Sequence, residues 1–196
     1  MKPDSAEQSE AVQWLPAERL GQLNVDAKLR PWLIGKGMLS ERIKAACGDR
    51  FSLRVVDQWS GLLSSSHKLA LRANDNAGMF RDVELCSADQ VWVFAQTVTP
   101  DSTLCLHPWL AEMGETPLDE TLNGLSGVGR SAYEYAWLPG ANPRGGDPKR
   151  GHPLTVRALR AADVKPAGLW ARRSRVSLRG APLLMQEAFL PAMGRI

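Results

Sequence analysis

The chain has 196 residues, 44% of them hydrophobic, and 24 Lys and Arg against 21 Asp and Glu, a formal net charge of +3. These values suit one soluble domain with its own core and exclude a membrane-spanning chain, because the apolar runs are short and broken by charge. So small a charge excess gives no expectation of a nucleic-acid partner, and the polar, acidic opening "MKPDSAEQSEAVQW" lacks the apolar stretch of a secretory signal, so a cytoplasmic location is expected.

Residues 1–15 read as a poorly ordered lead-in to one domain over 16–196. "DAKLRPWLI" and "SERIKAACG" have helical spacing, the second with Ser40 as N-cap and Gly48 as C-cap. From Phe51 the pattern changes to period two. "FSLRVVDQW" is a strand, "SGLLSSSHK" is turn material, and "FRDVELCS" with "VWVFAQTVTP" forms a hairpin about "ADQ". "LHPWLAEMG" and "PLDETLNGL" read as short helices and "SAYEYAWL" as a strand. "PGANPRGGDPKRGHP", residues 139–153, has no periodicity and reads as a long surface loop, after which "LTVRALRAAD" adds a short helix. "LWARRSRVSL" and "PLLMQEAFLP" close the chain as a second hairpin about "RGA". Strands that pair in sequence, with few helices between them, specify an α+β domain on an antiparallel sheet.

The three cysteines, Cys47, Cys86 and Cys105, are widely spaced without a CxxC pair, so neither a disulfide framework nor a zinc site is supported. They read as reduced thiols in the core. His67, His107 and His152 are isolated, two of them directly before proline, and make neither a metal cluster nor a Cys/His nucleophile pair. The arginines of "WARRSRVSLR", Arg172, Arg173, Arg175 and Arg179, read as a solvated strand face, and those of the long loop as flexible. A nucleic-acid surface would need aromatics interleaved with them, and only Trp170 is present.

Two charges stand where strands are otherwise apolar. In "PLLMQEAFLP", Leu183, Met185, Glu187 and Phe189 share one face and Leu184, Gln186, Ala188 and Leu190 the other, so Glu187 has no wet side. A buried carboxylate needs a partner or a shifted pKa. The first hairpin offers a candidate partner, Arg81, on the face of Val83 and Leu85. Opposite charges on two strands of one sheet make either a buried ion pair or the two poles of a small-molecule site.

The ordered set "MLSER", "FRDVELC", "VWVFAQTVTP", "GETPL" and "GLWARRSRVSLRGAPLLMQEAFLP" resembles the chorismate lyase family from about Trp32 to Pro191, the last block being the most specific. The resemblance implies a six-stranded antiparallel sheet with short helices packed on it and helical flaps over an enclosed ligand site. It implies conversion of chorismate to 4-hydroxybenzoate and pyruvate for ubiquinone synthesis, with no cofactor or metal, no nucleic-acid or membrane partner, and a monomeric enzyme. Carried over by position, Arg81 clamps the ring carboxylate and Glu187 stands at the hydroxyl end of the ring. Backbone contacts to the carboxylate fall on Leu118 and on Leu39, with Met38 beside it. Where the family commonly reads "ARTVxP", this chain has Gln96. Alternation puts Gln96 on a face with Trp92, Phe94 and Val98, and the change is expected to leave the pocket intact, with Arg173 or Arg175 supplying any lost positive potential. A rival class is a binding domain of UTRA-like fold, as in bacterial regulators, which would keep the pocket without the reaction.

Overall fold

The period-two segments fold into one continuous antiparallel sheet in the computed structural model, which describes residues 12–22, 24–140, 152–160 and 167–195. Its strands are β1 (Leu15–Pro16), β2 (Phe51–Leu62), β3 (Ala77–Ser87), β4 (Gln90–Pro100), β5 (Val128–Arg130), β6 (Glu134–Pro139), β7 (Gly168–Leu178) and β8 (Ala181–Phe189). They lie in the order β1-β6-β7-β8-β4-β3-β2, with β5 paired to β7 along the edge that β6 also uses. Among the described residues the sheet therefore has eight strands, not the expected six. The two additions, β1 and β5, span only two and three residues, too short to show alternation.

Turn chemistry fixes the two hairpins. Arg179 and Gly180 both have positive φ, as a two-residue turn matched to strand twist requires, and they set Leu178 opposite Ala181. Ala88, also at positive φ, opens the two-residue link that sets Ser87 opposite Gln90.

Among the described residues six short α-helices cover the sheet: α1 (Arg30–Ile34), α2 (Leu39–Cys47), α3 (Ser65–Leu71), α4 (Asp101–Leu106), α5 (Leu118–Asn123) and α6 (Pro153–Ala158). Leu33 of α1 and Leu39, Ile43 and Cys47 of α2 pack on Val83, Leu85, Val93 and Phe189, while Leu118 and Leu122 of α5 pack on Val176, Leu183 and Met185. On the other face, Leu154 and Ala158 of α6 meet Phe94, Ala136 and Ala188, and Leu71 of α3 meets Phe80, Val98 and Leu184. Both faces are thus buried, which explains why the strands read as apolar on both sides.

Several helix expectations shift for local reasons. The first helix contracts to Arg30–Ile34, because Pro31 is tolerated only in a first turn. Met38, not Ser40, is the N-cap of α2, while Gly48 is its C-cap as expected. "SGLLSSSHK" is not all turn: β2 runs on to Leu62, and a reciprocal capping box between Ser64 and His67 starts α3. "LHPWLAEMG" keeps only a 3-10 turn at Pro108–Ala111, and α4 forms just before it. Upstream of the expected domain start, Val12 and Trp14 pack against the sheet and Leu15 pairs with Tyr135. Positions 1–11 of the lead-in and 141–151 of the long loop lie outside the described residues. Cys47 and Cys86 are buried, but Cys105 is exposed and is not the core thiol expected. Among the described residues no helix is long and apolar enough to cross a membrane.

Candidate active site

The register across β3, β4 and β8 places Arg81 and Glu187 on the same face. Arg81 opposes Thr97, Thr97 opposes Met185, and Glu187 lies two residues along β8. Two inter-strand steps and two residues of rise separate their Cα atoms by about 12 Å. They are not partners of each other. Arg81, only 3% exposed, donates from Nη2 to the carbonyls of Gly114 at 2.6 Å and Thr116 at 3.3 Å. Its Nε is buried without a partner, and no carboxylate lies within salt-bridge distance among the described residues. Burial pushes its pKa below the ordinary arginine value. A buried guanidinium held only by carbonyls is prepared for an anion.

The partner of Glu187 is Arg172, its direct cross-strand neighbour on β7, and not a residue of the first hairpin. Arg172 is completely buried; its Nε donates to Glu187 Oε2 and its guanidinium lies over the Tyr133 ring. Burial opposes the charged form, but Glu187 together with Tyr133 and Tyr135 outweighs it, and the arginine pKa lies above its usual value. Nη1 of Arg172 reaches the carbonyls of Trp32, Leu33 and Gly35, at 3.3, 3.1 and 3.0 Å, and so closes the carboxyl end of α1. Glu187 Oε1 makes no hydrogen bond among the described residues, leaving one carboxylate oxygen for the face it points from.

Leu39 and Leu118 are the first residues of α2 and α5, and the two helix starts are tied together. Asp119 accepts from the backbone N–H of Ser40 at 3.2 Å and from its hydroxyl at 2.9 Å, and Lys44 pairs with Glu120 at 2.7 Å. Thr116, whose carbonyl Arg81 touches, is two residues before Leu118. The four expected site residues are joined by a chain of contacts: Arg81 touches the 114–116 segment that precedes Leu118, Asp119 ties the start of α5 to Ser40 beside Leu39, and Arg172 ties Glu187 to the α1–α2 connection. The Leu39 side chain is in the core, whereas Met38 lines a cleft of about 390 Å³ with Gly37, Asp119, Leu122, Val128 and Arg130.

Gln96 is on the opposite face of the sheet. Its Nε2 donates to Asp82 at 2.8 Å and its Oε1 accepts from Gln186 at 3.1 Å. The positive charge beside Asp82 is Arg157 of α6, not Arg173 or Arg175; Arg157 also pairs with Asp57 at 2.9 Å. Arg173 pairs with Glu134 at 2.7 Å and covers Trp14. Arg172 and Arg173 are both buried, so "WARRSRVSLR" is not a solvated stripe. Trp92 does not share a face with Gln96: an irregularity at Leu85/Cys86 turns it into the cluster containing Val93. Two isolated histidines, His67 and His152, border one further cleft of about 370 Å³ with Trp14, Trp59 and Phe80. Among the described residues no group of three or more His, Cys, Asp or Glu is placed to hold a metal.

The family model described as chorismate lyase matches residues 8–195. The chain belongs to the chorismate lyase family. A protein of Methylococcus capsulatus named "Probable chorismate pyruvate-lyase" is 34% identical over 173 residues, covering 84% of this chain and 96% of that one. A "Chorismate pyruvate-lyase" of Citrobacter koseri is 29% identical over 171 residues, 86% of each chain. Among solved structures, the effector domain of PhnF from Mycobacterium smegmatis aligns with TM-score 0.54 at 14% identity over 82% of this chain and 92% of that domain. The C-terminal domain of the histidine utilization repressor of Pseudomonas syringae gives 0.52 at 11% identity over 75% and 96%. At such identity the likeness is one of fold alone, an antiparallel sheet of UTRA-like form.

Proposed function

We infer that this chain is a chorismate pyruvate-lyase, a carbon–oxygen lyase that splits chorismate into 4-hydroxybenzoate and pyruvate at the head of ubiquinone synthesis. The observation that carries the reading is Arg81: a buried guanidinium with no carboxylate partner among the described residues, on the same face as Glu187, in a chain whose family acts on a carboxylate-bearing ring. The substrate contains its own driving force, because the ring aromatises when the ether bond to the enolpyruvyl group breaks and a ring proton is lost; enolpyruvate then takes up a proton as pyruvate. The protein has to orient the ring, support the departing oxygen and keep water out. Arg81, with the N–H groups at Leu118 and Leu39, would hold the ring carboxylate. Glu187, oriented by Arg172, would accept the hydrogen bond of the ring hydroxyl and assist proton movement there. The helix starts α1–α2 and α5 would act as flaps that enclose the ligand. The enzyme would work without a cofactor, as a monomer in the cytoplasm.

The purified chain, with chelator present and nothing added, should release pyruvate and 4-hydroxybenzoate from chorismate in equal amounts, followed by coupled reduction of pyruvate and by product absorbance. Saturable binding of chorismate without release would favour the binding-domain class instead.

A further inference from the structure

The face that carries Arg81 and Glu187 holds another guanidinium. Arg130, the last residue of β5, extends across β7, where Nη1 donates to Ser174 Oγ at 2.9 Å and Nη2 to Met185 Sδ at 3.3 Å. Ser174 and Met185 are buried and directly opposed; Met185 faces Thr97, and Thr97 faces Arg81. Arg130 therefore enters from the β7 side along the cross-strand row that Arg81 enters from the β3 side. Nη1 also reaches the Tyr133 hydroxyl at 3.4 Å, and the guanidinium lies over that ring; hydroxyls, a thioether and an aromatic face are weaker partners for a cation than a carboxylate. Among the described residues no carboxylate lies within salt-bridge distance of Arg130, as none does of Arg81. Glu187 is taken by Arg172. Asp119 borders the same cleft as Arg130, but its oxygens accept from Ser40 and from the Glu120 N–H. Two uncompensated positive charges thus flank one row of the face.

We propose that Arg130 is a second anion subsite that binds the side-chain carboxylate of the substrate while Arg81 holds the ring carboxylate. The inference rests on the lyase reading of the site. Chorismate carries two carboxylates, and a pocket with one free guanidinium would strip water from the second without compensation. 4-Hydroxybenzoate keeps only the ring carboxylate, so Arg130 grips substrate and pyruvyl fragment but not the aromatic product. Its exposed position beside the cleft of Gly37, Met38 and Val128 puts this subsite where the fragment can leave towards solvent. The residue would separate substrate affinity from product affinity, which a clamp on the shared ring carboxylate cannot do.

Arg130→Gln and Arg130→Lys test this beside the parent chain, by initial rates with chorismate, by the Kd for 4-hydroxybenzoate, and by melting temperature as a check on folding. Arg130→Gln should raise the KM for chorismate by roughly 10- to 100-fold and leave the Kd for 4-hydroxybenzoate within about twofold, because only the substrate loses a charge-assisted partner. Arg130→Lys retains the charge but not the fork, should fall between, and decides the matter if the glutamine variant melts early. Equal weakening of both ligands, or of neither, overturns the subsite. A parent chain that neither binds nor converts chorismate overturns the lyase reading and the subsite together, whereas a converting parent with an unaffected Arg130→Gln overturns the subsite alone.

Discussion

Among the described residues Arg81 is held by two carbonyl oxygens and by no carboxylate, whereas Glu187 is held by Arg172, so the two should fail differently when altered. Arg81→Ala leaves the fold its carbonyl contacts to lose and the ligand its charge partner to lose. It should weaken binding of both chorismate and 4-hydroxybenzoate by about 2–5 kcal/mol, read by titration. Glu187→Gln keeps the shape but not the charge, and should lower kcat more than it raises KM. It should also lower the melting temperature, since Arg172 would then be a buried cation without a counter-charge. If both variants match the parent in kinetics, the two charges are structural only. Gln96 offers the opposite case. It joins Asp82 and Gln186 on the far side of the sheet, so Gln96→Arg adds a cation beside an aspartate that Arg157 already satisfies. We expect a change in stability of about 1 kcal/mol and an unchanged kcat; a large gain in turnover would show instead that the natural chain is impaired at this position. The partner of Glu187 was within reach of sequence reasoning. Once the turn is taken as Arg179–Gly180, residues at equal distance from it must face each other, and Arg172 and Glu187 each stand seven positions away. The three-residue join "RGA" hid that register.

Among the elements, α2 and α5 behave as a latched pair. Asp119 at the start of α5 accepts two hydrogen bonds from Ser40 at the start of α2, and the Lys44–Glu120 pair, being more exposed, adds little. Asp119→Ala should lower stability by about 1–3 kcal/mol, the cost of leaving the Ser40 donors without their acceptor. It should also raise KM for chorismate several-fold through loosened helix starts, with kcat much less affected; melting curves and initial rates check both. An unchanged KM would mean that these helix starts do not shape the ligand site. Ser40 is attractive as an N-cap by its type alone, but its hydroxyl serves a helix far along the chain, which no local pattern reveals. Likewise α3 was concealed by a serine-rich segment that reads as turn material, and α4, six residues between a strand and a proline, is too short to show helical spacing, while β1 and β5 pair with β6 and β7 and have no pattern of their own.

For the molecule as a whole, the sheet is buried on both faces and carries a separate polar layer on each: Arg81, Glu187, Arg172 and Arg130 on one, and Asp82, Gln96, Gln186 and Arg157 on the other. Beside the second layer, burial above all, with His67 and Arg173 nearby, lowers the pKa of His152 to about 4, and its Nδ1 caps α6 by accepting from Leu154 at 3.3 Å. An unfolded histidine titrates near 6.5, so between that pH and about 4 the unfolded chain binds more protons and stability falls as pH is lowered. His67, also lowered chiefly by burial, acts in the same sense. The melting temperature should decline through this window, and His152→Asn, which can still cap, should flatten the decline; a parallel profile would assign the loss to other groups. The sequence by itself determined the two antiparallel hairpins, several of the short helices, and that Arg81 and Glu187 each stand on an apolar face of their own strand, because alternation and turn chemistry are local and act within a few residues. Only the tertiary structure decided that Arg81 and Glu187 share one face, that Arg172 rather than Arg81 balances Glu187, that Arg81 and Arg130 have no carboxylate partner among the described residues, and that Gln96 lies behind the sheet beside Arg157. Those outcomes depend on strand register and helix docking between segments as distant as Leu33 and Arg172, 139 residues apart, where burial and ion pairing are set by what the fold brings together.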